Sequence, residues 1–465
     1  MLASACIDGV HRWDTHEMNW TTTNRTVNRP RQFSYRLGPL AAALAVGFAA
    51  HLGPWAYGKA VAGNFIPSCE QAAPGYSIQD PEFNPEELVA AWRINPTLNA
   101  DSSLRRHGRI IITPIDPLSG NFLEDESYRV PNAQPVANSA VVDATVNGPE
   151  WGNSQRGWEI FYSCYSADLQ TSRLCRVDQD SSGRWVLNGA LPDSKHRTAR
   201  QPTKYPEDFA PKLYFEHVVG NIEDGLSGVG YGWREDVMQP LDIEMPPKSG
   251  FGHWAPEGVS FFHQTRIPGA STTQGRILQL TEYDTWTLEN TLLFDDGVFR
   301  MGPFPWKAPE LGGAVALAAL VRVETPDESY QYVEVYRQDP SGNWVVWNTF
   351  DHIDPGYPIA VSPEPFVVDG RSYLTVVSYE PGFRTVSPGT PSVVWITSVD
   401  PTLTGTDDEV RRVVSAEPWP GLVTIKSDPE ALNLGAQGGT RVYYVDHGRG
   451  GPGHIPRLVN CDTGL

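Results

Sequence analysis

The sequence predicts an all-β fold built from repeated sheets, a six-bladed β-propeller, with five blades as the alternative. Three observations lead to this fold class. Glycine and proline, at 43 and 40 of the 465 residues, exceed their usual share and indicate many turns. Aromatic residues, which disordered chains lack, are plentiful at 15 Trp, 18 Tyr and 17 Phe. Pro-Glu pairs recur ahead of apolar runs at a spacing typical of repeat folds.

Six Pro-Glu pairs define the repeat, and an apolar run of strand character follows each of them. Successive pairs are 50 to 66 residues apart, and their acids are Glu150, Glu207, Glu257, Glu310, Glu364 and Glu430. Further runs follow, joined by turns such as DPSGNW at 339–344. About 50 residues suffice for a four-stranded blade. The unit that begins at Glu207 is the weakest, and without it the count falls to five. Pro81-Glu82 lies outside the period.

The two chain ends are expected to share a blade. Residues 109–122 contain a strand and a turn ahead of the first full unit, while the last unit, 424–465, is short of strands. Strands from 104–140 are therefore predicted to join 424–465 and close the propeller. The propeller itself is predicted to span 104–465.

The N-terminal part has the layout of a secretory signal. Residues 37–62 are strongly apolar, follow a segment rich in arginine and end in Ala60-Val61-Ala62. We interpret 1–62 as a targeting segment, with 1–17 a possible extension ahead of Met18, and an uncleaved anchor as the alternative. Residues 63–103 are interpreted as an extension with a short helix at 84–98, bounded by prolines. A secreted or periplasmic protein without a stable membrane span after processing is expected.

Cysteine usage agrees with export. Beyond Cys6, the chain has Cys69, Cys164, Cys175 and Cys461, an even number that fits an oxidising compartment. A hairpin would place Cys164 beside Cys175, which leaves Cys69 to join Cys461 and hold the two ends together. Four cysteines allow three connectivities, so this pairing is a hypothesis.

Short motifs resemble two propeller families. GPEWGNSQRGWEIFYS at 148–163 resembles the repeat of TolB-type propellers, whereas WKAPEL at 306–311 and EPFVVDGRSYLTVV at 364–377 resemble blade openings of arabinanase-type, family 43-like glycosidases. The first resemblance implies a binding propeller. The second implies a glycosidase whose carboxylates come from different blades and face the central cavity.

If the six pairs are equivalent, their acids converge at one mouth of the channel, where like charges raise one another's pKa. One protonated and one ionised carboxylate could then cleave a glycosidic bond. The acids could instead bind a metal, with Ca²⁺ the candidate, or accept backbone hydrogen bonds from the next blade. The predicted catalytic acids are Glu257, Glu310 and Glu364. Predicted substrate contacts are Glu150, Trp151, His253, Trp254, Trp306, Lys307 and Glu430.

Net charge and missing motifs narrow the function. A formal charge of −19 disfavours nucleic acid and anionic membrane surfaces, and it is compatible with a metal ion or with a neutral or cationic ligand. The predicted partner is a carbohydrate or another small neutral ligand. The sequence has no GxSxG, P-loop or HExxH motif. A secreted glycoside hydrolase using paired carboxylates is therefore predicted. The alternative is a non-catalytic, TolB-like propeller that binds a glycan, peptide or protein.

Overall fold

The protein is described here from a computed structural model. The structure describes residues 65–72, 77–84, 86, 88–95, 109–123, 128–129, 146–154, 157–165, 172–179, 181–182, 185–190, 199–204, 213–218, 228–234, 237–240, 250–254, 260–266, 275–281, 291–292, 299–324, 329–351, 358–360, 363–379, 390–416, 424–448 and 456–465. These residues form seven four-stranded antiparallel sheets, which we number in chain order.

The first four sheets run from residue 77 to residue 292. Sheet 1 contains β2 (Ser77–Asn84), β3 (Val89–Asn95), β4 (Arg109–Pro114) and β5 (Tyr128–Arg129). Sheet 2 contains β6 (Val146–Ser154), β7 (Gly157–Tyr165), β8 (Ser172–Gln179) and β9 (Trp185–Ala190). Sheet 3 contains β10 (Ala199–Lys204), β11 (Leu213–Val218), β12 (Gly228–Arg234) and β13 (Val237–Pro240). Sheet 4 contains β14 (Gly250–Trp254), β15 (Ser260–Arg266), β16 (Gly275–Thr281) and β17 (Thr291–Leu292).

The remaining sheets use the C-terminal part and one N-terminal strand. Sheet 5 contains β18 (Phe299–Ala308), β19 (Ala314–Glu324), β20 (Ser329–Gln338) and β21 (Trp344–Phe350). Sheet 6 contains β22 (Glu364–Val368), β23 (Arg371–Tyr379), β24 (Ser392–Ser398) and β25 (Arg411–Val413). Sheet 7 contains β26 (Lys426–Asn433), β27 (Thr440–Asp446), β28 (Arg457–Asp462) and β1 (Cys69–Gln71). Single turns of 3-10 helix occupy Pro309–Leu311 and Pro401–Leu403, and a short α-helix, α1, occupies Gly435–Gly438.

The first strand of each sheet contacts the first strand of the next. This order runs from β2 through β6, β10, β14, β18 and β22 to β26, and β26 contacts β2. The last strand of a sheet is often short, two residues in β5 and β17 and three in β25 and β1, which limits the edge open to pairing with another chain.

Both chain ends meet in sheet 7, where β1 pairs antiparallel with β28. Cys69 and Cys461 lie directly opposite each other and form a disulfide with a Cα–Cα distance of 4.1 Å, as predicted. The partner of β28 is 69–71 rather than the predicted segment within 104–140, because 109–114 is the third strand of sheet 1. Cys175 is also disulfide-bonded. The side chain of Cys164 lies outside the described residues, so the Cys164–Cys175 pairing stays a prediction.

The core consists of layers between neighbouring sheets. One layer packs Trp306 and Ala318 of sheet 5 against Leu374 and Trp395 of sheet 6, and all four are buried. Equivalent layers join sheets 6 and 7, sheets 7 and 1, and sheets 1 and 2. A middle strand is therefore covered on both faces, which explains the unbroken run of buried residues in β23.

A seam turn, which we define as residues 116–121, ties sheet 1 to sheet 7. The Tyr443 hydroxyl donates to the Gly120 carbonyl at 2.7 Å, and the Asn460 amide donates to the Ser119 carbonyl at 3.1 Å. The Asn121 amide donates to the Glu70 carboxylate of β1 at 2.7 Å. These side chains join sheet 1 to sheet 7, while the disulfide joins two strands within sheet 7.

Two expectations from the sequence differ from the structure. Seven four-stranded sheets are present, where six were expected. The helix predicted at 84–98 is absent, since Val89–Asn95 is a strand of sheet 1. Ala90 packs toward sheet 7 and Ala91 toward sheet 2, so tertiary burial on both faces overrides the local helical preference. The predicted boundary between the N-terminal extension and the propeller, between residues 103 and 104, falls within sheet 1, because β3 and β4 on either side of it are paired strands.

The predicted targeting segment, 1–62, lies outside the described residues. Among the residues that the structure describes, no helix has the length and apolar character needed to cross a membrane.

Candidate functional site

The Pro-Glu pairs fall into two structural sets, so the expectation that all six are equivalent is wrong. One set lies inside first strands: its acids are Glu82, Glu150, Glu364 and Glu430. Glu310 differs, because it lies in the 3-10 turn that connects β18 to β19, while Glu207 and Glu257 lie outside the described residues. Glu310 therefore lies beyond the end of its first strand, whereas the acids of the first set lie within theirs.

The first set marks a repeated β-bulge. In β2, β6 and β26, two residues of the first strand lie opposite one residue of the second, and the second of the two is the proline. The same register shift contains Pro202 in β10 and Pro303 in β18. Proline cannot donate to the ladder, and a bulge is one of the few places in a sheet that accepts it. The bulge prolines, not the Pro-Glu pairs, are thus the structural repeat.

Glutamate follows the bulge proline in sheets 7, 1 and 2. In sheet 6, Glu364 follows Pro363 and begins β22, which pairs with β23 without a register shift. These four sheets are consecutive in the contact order of the first strands. The equivalent residues in sheets 3, 4 and 5 are Thr203, Gly252 and Phe304. We call Glu364, Glu430, Glu82 and Glu150 the acidic arc. Glu82 was discounted from the sequence because it breaks the period. The strand that follows it, VAAWRIN, is the signal that could have identified it.

Hydrogen bonds join neighbouring members of the acidic arc. The buried Thr375 hydroxyl lies 3.3 Å from the Glu364 carbonyl oxygen and 3.1 Å from the Pro429 carbonyl oxygen, so it links β22 to the bulge of β26. The Trp151 indole donates to the Glu82 carbonyl at 2.9 Å, which links β6 to β2. Two pairs of neighbouring acids result: Glu364 with Glu430, and Glu82 with Glu150.

The register gives the direction of these side chains. Glu430 is opposite Tyr443, which packs in the layer between sheets 7 and 1, while Glu364 is opposite Thr375. Both carboxylates are partly buried, as is that of Glu82. The side chain of Glu150 lies outside the described residues. Glu364, Glu430 and Glu82 are thus positioned on the face of their sheet that meets the next sheet.

Glu310 has a different environment. One carboxylate oxygen accepts from the Ser372 backbone N–H at 2.5 Å, and the other accepts from the Ser372 hydroxyl at 2.7 Å. The Trp306 indole donates to the same hydroxyl at 2.9 Å. Ser372 belongs to β23, so Glu310 and Trp306 of sheet 5 hold the backbone of sheet 6. This is the architectural role that the sequence left open.

The remaining predicted contacts are dispersed. Trp151 packs edge-on against Trp158 and Trp185 in the layer between sheets 1 and 2. Lys307 is exposed on β18. His253 and Trp254 are paired backbone positions of β14, and their side chains lie outside the described residues, as does Glu257. The described part of the predicted set therefore does not meet at one place.

No metal centre is found within the described side chains. No three of their His, Cys, Asp and Glu residues lie close enough together to hold an ion. The Ca²⁺ candidate therefore has no site among them.

No protein-family model and no curated protein matches the chain. Among solved structures, a prolyl endopeptidase matches with 12% identity and a TM-score of 0.47, over 80% of this chain and 46% of that one. Sqt1 from Chaetomium thermophilum matches with 11% identity and a TM-score of 0.41, over 83% and 88%. A glycoside hydrolase matches with 11% identity and a TM-score of 0.32, over 59% and 90%. The chain spans about half of the endopeptidase, and likeness at this level carries no inference about activity.

Proposed function

We propose that the chain is a secreted carbohydrate-active hydrolase built on a seven-bladed β-propeller. The seven sheets would be the blades, their first strands would surround the central channel, and β1 would complete the last blade. The ring order of first-strand contacts and the β1–β28 pairing support this architecture.

The observation that carries the proposed activity is the acidic arc: four glutamates at equivalent first-strand positions on four consecutive sheets. Glycoside hydrolysis needs two carboxylates, one to protonate the leaving oxygen and one to act as base or nucleophile. Glu364 and Glu430 are the proposed pair, since Thr375 bridges their strands.

Charge supports an uncharged substrate. The chain carries a formal charge of −19, and four carboxylates on adjacent inner strands would repel an anionic polymer. A neutral glycan presents hydroxyl groups that carboxylates bind by accepting hydrogen bonds. A neutral oligosaccharide or polysaccharide is therefore the proposed substrate class.

The test is a panel of neutral polysaccharides, assayed for release of reducing ends. Glu364→Gln and Glu430→Gln should each lower turnover by at least about 100-fold, the usual contribution of a general acid or base. Their unfolding midpoints should stay near that of the wild type. Glu310→Gln is the matched control, expected to retain turnover because Glu310 bonds to Ser372 instead. Wild-type turnover in both arc variants would refute the proposal.

A second candidate is a non-catalytic binding propeller for a glycan, peptide or protein. Glu310 favours it, since this Pro-Glu acid is bonded into the neighbouring sheet. Calorimetric titration with oligosaccharides separates the candidates. Binding without release of reducing ends supports the binder, and release of reducing ends supports the hydrolase.

The proposed location is outside the cytosol. The Cys69–Cys461 disulfide supports it, because such bonds persist mainly in oxidising compartments. Fractionation of the native host, followed by non-reducing electrophoresis, would test it: a reduced, cytosolic chain is the contrary result.

A further inference from the structure

A serine and a histidine meet at the start of the last sheet's inner strand. Ser427 Oγ lies 2.7 Å from His447 Nε2. Ser427 is 4% exposed, and His447 is partly exposed. In the tautomer that carries its proton on Nδ1, the imidazole Nε2 accepts from the hydroxyl. This is the contact by which a histidine base activates a serine nucleophile.

The backbone fixes both residues. The His447 N–H donates to the Ile425 carbonyl at 2.8 Å, and the Ile425 N–H donates to the Gly448 carbonyl at 2.7 Å. These bonds continue the ladder between β26 and β27 beyond the paired strands. The two side chains are therefore mounted on one rigid hairpin, and the imidazole does not depend on a separate loop for its position.

The next residue departs from strand geometry. Asp428 has a φ of 56°, and it lies at the bulge where the β26–β27 register shifts. Gly302 has the same conformation at the equivalent bulge of sheet 5, with φ 52°. The bulge therefore turns the chain sharply just after Ser427.

The fold does not require a serine and a histidine here. Ser427 is opposite Val445, two residues before His447. Residues in the corresponding two places of other sheets are Gln79 and Asn95, Asn147 and Tyr165, Arg200 and Val218, and Met301 and Arg322. None of these is a hydroxyl with an imidazole, so among these five sheets the pair occurs in sheet 7 alone.

We propose that Ser427 and His447 form a nucleophile–base dyad that hydrolyses a carboxylic ester. Ser427 Oγ bonds to the ester carbonyl carbon while His447 Nε2 takes the hydroxyl proton. The carbon–oxygen bond to the alcohol then breaks, and the imidazolium returns the proton to the leaving alkoxide. Water attacks the acyl-serine with the same base, which gives the carboxylic acid and restores the serine. The step needs no cofactor and is independent of the acidic arc.

The test uses the full chain with p-nitrophenyl acetate as substrate and a fluorophosphonate as a serine-directed probe. The wild type should release nitrophenolate, and peptide mass spectrometry should place the phosphonyl adduct on Ser427. Ser427→Ala should lose both. His447→Gln keeps a hydrogen-bond partner for Ser427 but removes the base, so it should fold normally and lose at least about 100-fold in turnover.

Ser415→Ala is the matched control. Ser415 is also 4% exposed, and its hydroxyl accepts from the Val394 N–H. It should retain wild-type turnover and labelling. Three results would overturn the proposal: a wild type that neither hydrolyses the ester nor takes the probe, an adduct on another serine, or full turnover in His447→Gln. Labelling of the wild type needs no variant, so an unstable Ser427→Ala leaves the test intact.

Discussion

Glu310 offers the sharpest separation of architecture from catalysis. Glu310→Ala removes the acceptor for the backbone N–H of Ser372, a residue that is 1% exposed, and the acceptor for its hydroxyl. A hydrogen bond to a charged group contributes about 1.5–3 kcal/mol, and a buried donor left without a partner costs about as much. We therefore expect the free energy of unfolding to fall by roughly 2–4 kcal/mol, measured by urea denaturation.

A double-mutant cycle with Ser372→Ala isolates the side-chain part of this contact. Ser372→Ala keeps the N–H bond to Glu310 and removes the hydroxyl bond, so the coupling energy should be about 1 kcal/mol. Glu310→Gln should lose less stability than Glu310→Ala, because its amide oxygen still accepts from the N–H. The reasoning is refuted if Glu310→Ala unfolds at the wild-type urea concentration while glycan turnover disappears, since Glu310 would then serve the chemistry.

Three further predictions concern the junction of sheets 7 and 1. Replacing Cys69 and Cys461 together by alanine should lower the free energy of unfolding by about 2–5 kcal/mol, measured by thermal unfolding. Chain entropy alone gives about 6 kcal/mol for a disulfide that closes a separation of 392 residues. An unchanged unfolding midpoint would show that the β1–β28 strand pairing is stable without the disulfide. Gly438→Ala would place its Cβ 2.3 Å from the Pro117 carbonyl oxygen. The free energy of unfolding, measured by denaturation, should therefore fall by roughly 1–3 kcal/mol. A variant as stable as the wild type would contradict this close approach. Hydrogen bonds from the Leu118 N–H and then from the Ser119 hydroxyl lower the pKa of Asp116. An NMR titration of the Asp116 carboxyl should therefore give a midpoint below the usual value of 3.8. The stabilisation that results is present above pH 3.8 and is lost as the pH falls through the pKa of the folded state.

The all-β class, the repeat and the Cys69–Cys461 bond could be predicted from the sequence. Turn residues and aromatic content indicate local structure, and pairing Cys164 with Cys175 leaves Cys69 and Cys461 as the remaining pair. The sheet count could not. Sheet 1 was missed because 84–98 has prolines at both ends and helix-forming residues between them, whereas burial of Ala90 and Ala91 against two different sheets makes it a strand. Local preference gave no sign of those two neighbours.

The candidate site was predictable only in part. Pro-Glu spacing identified Glu150, Glu364 and Glu430, yet it also included Glu310, which lies in a turn after the strand. A dipeptide does not reveal whether it lies at a bulge or in a turn, because the distinction depends on register with the next strand. The Ser427–His447 pair is formed by residues on adjacent strands, and no sequence motif marks it.

The pairing of β1 with β28 has a consequence for biosynthesis. A ribosome that adds about 5–20 residues per second needs roughly 20–80 s to travel the 392 residues between the two cysteines. During that interval β1 has emerged without its partner, and Cys69 is a thiol that can form mixed disulfides with other proteins. Folding in the cell should therefore depend on a disulfide isomerase or on a chaperone that shields this first segment until translation ends.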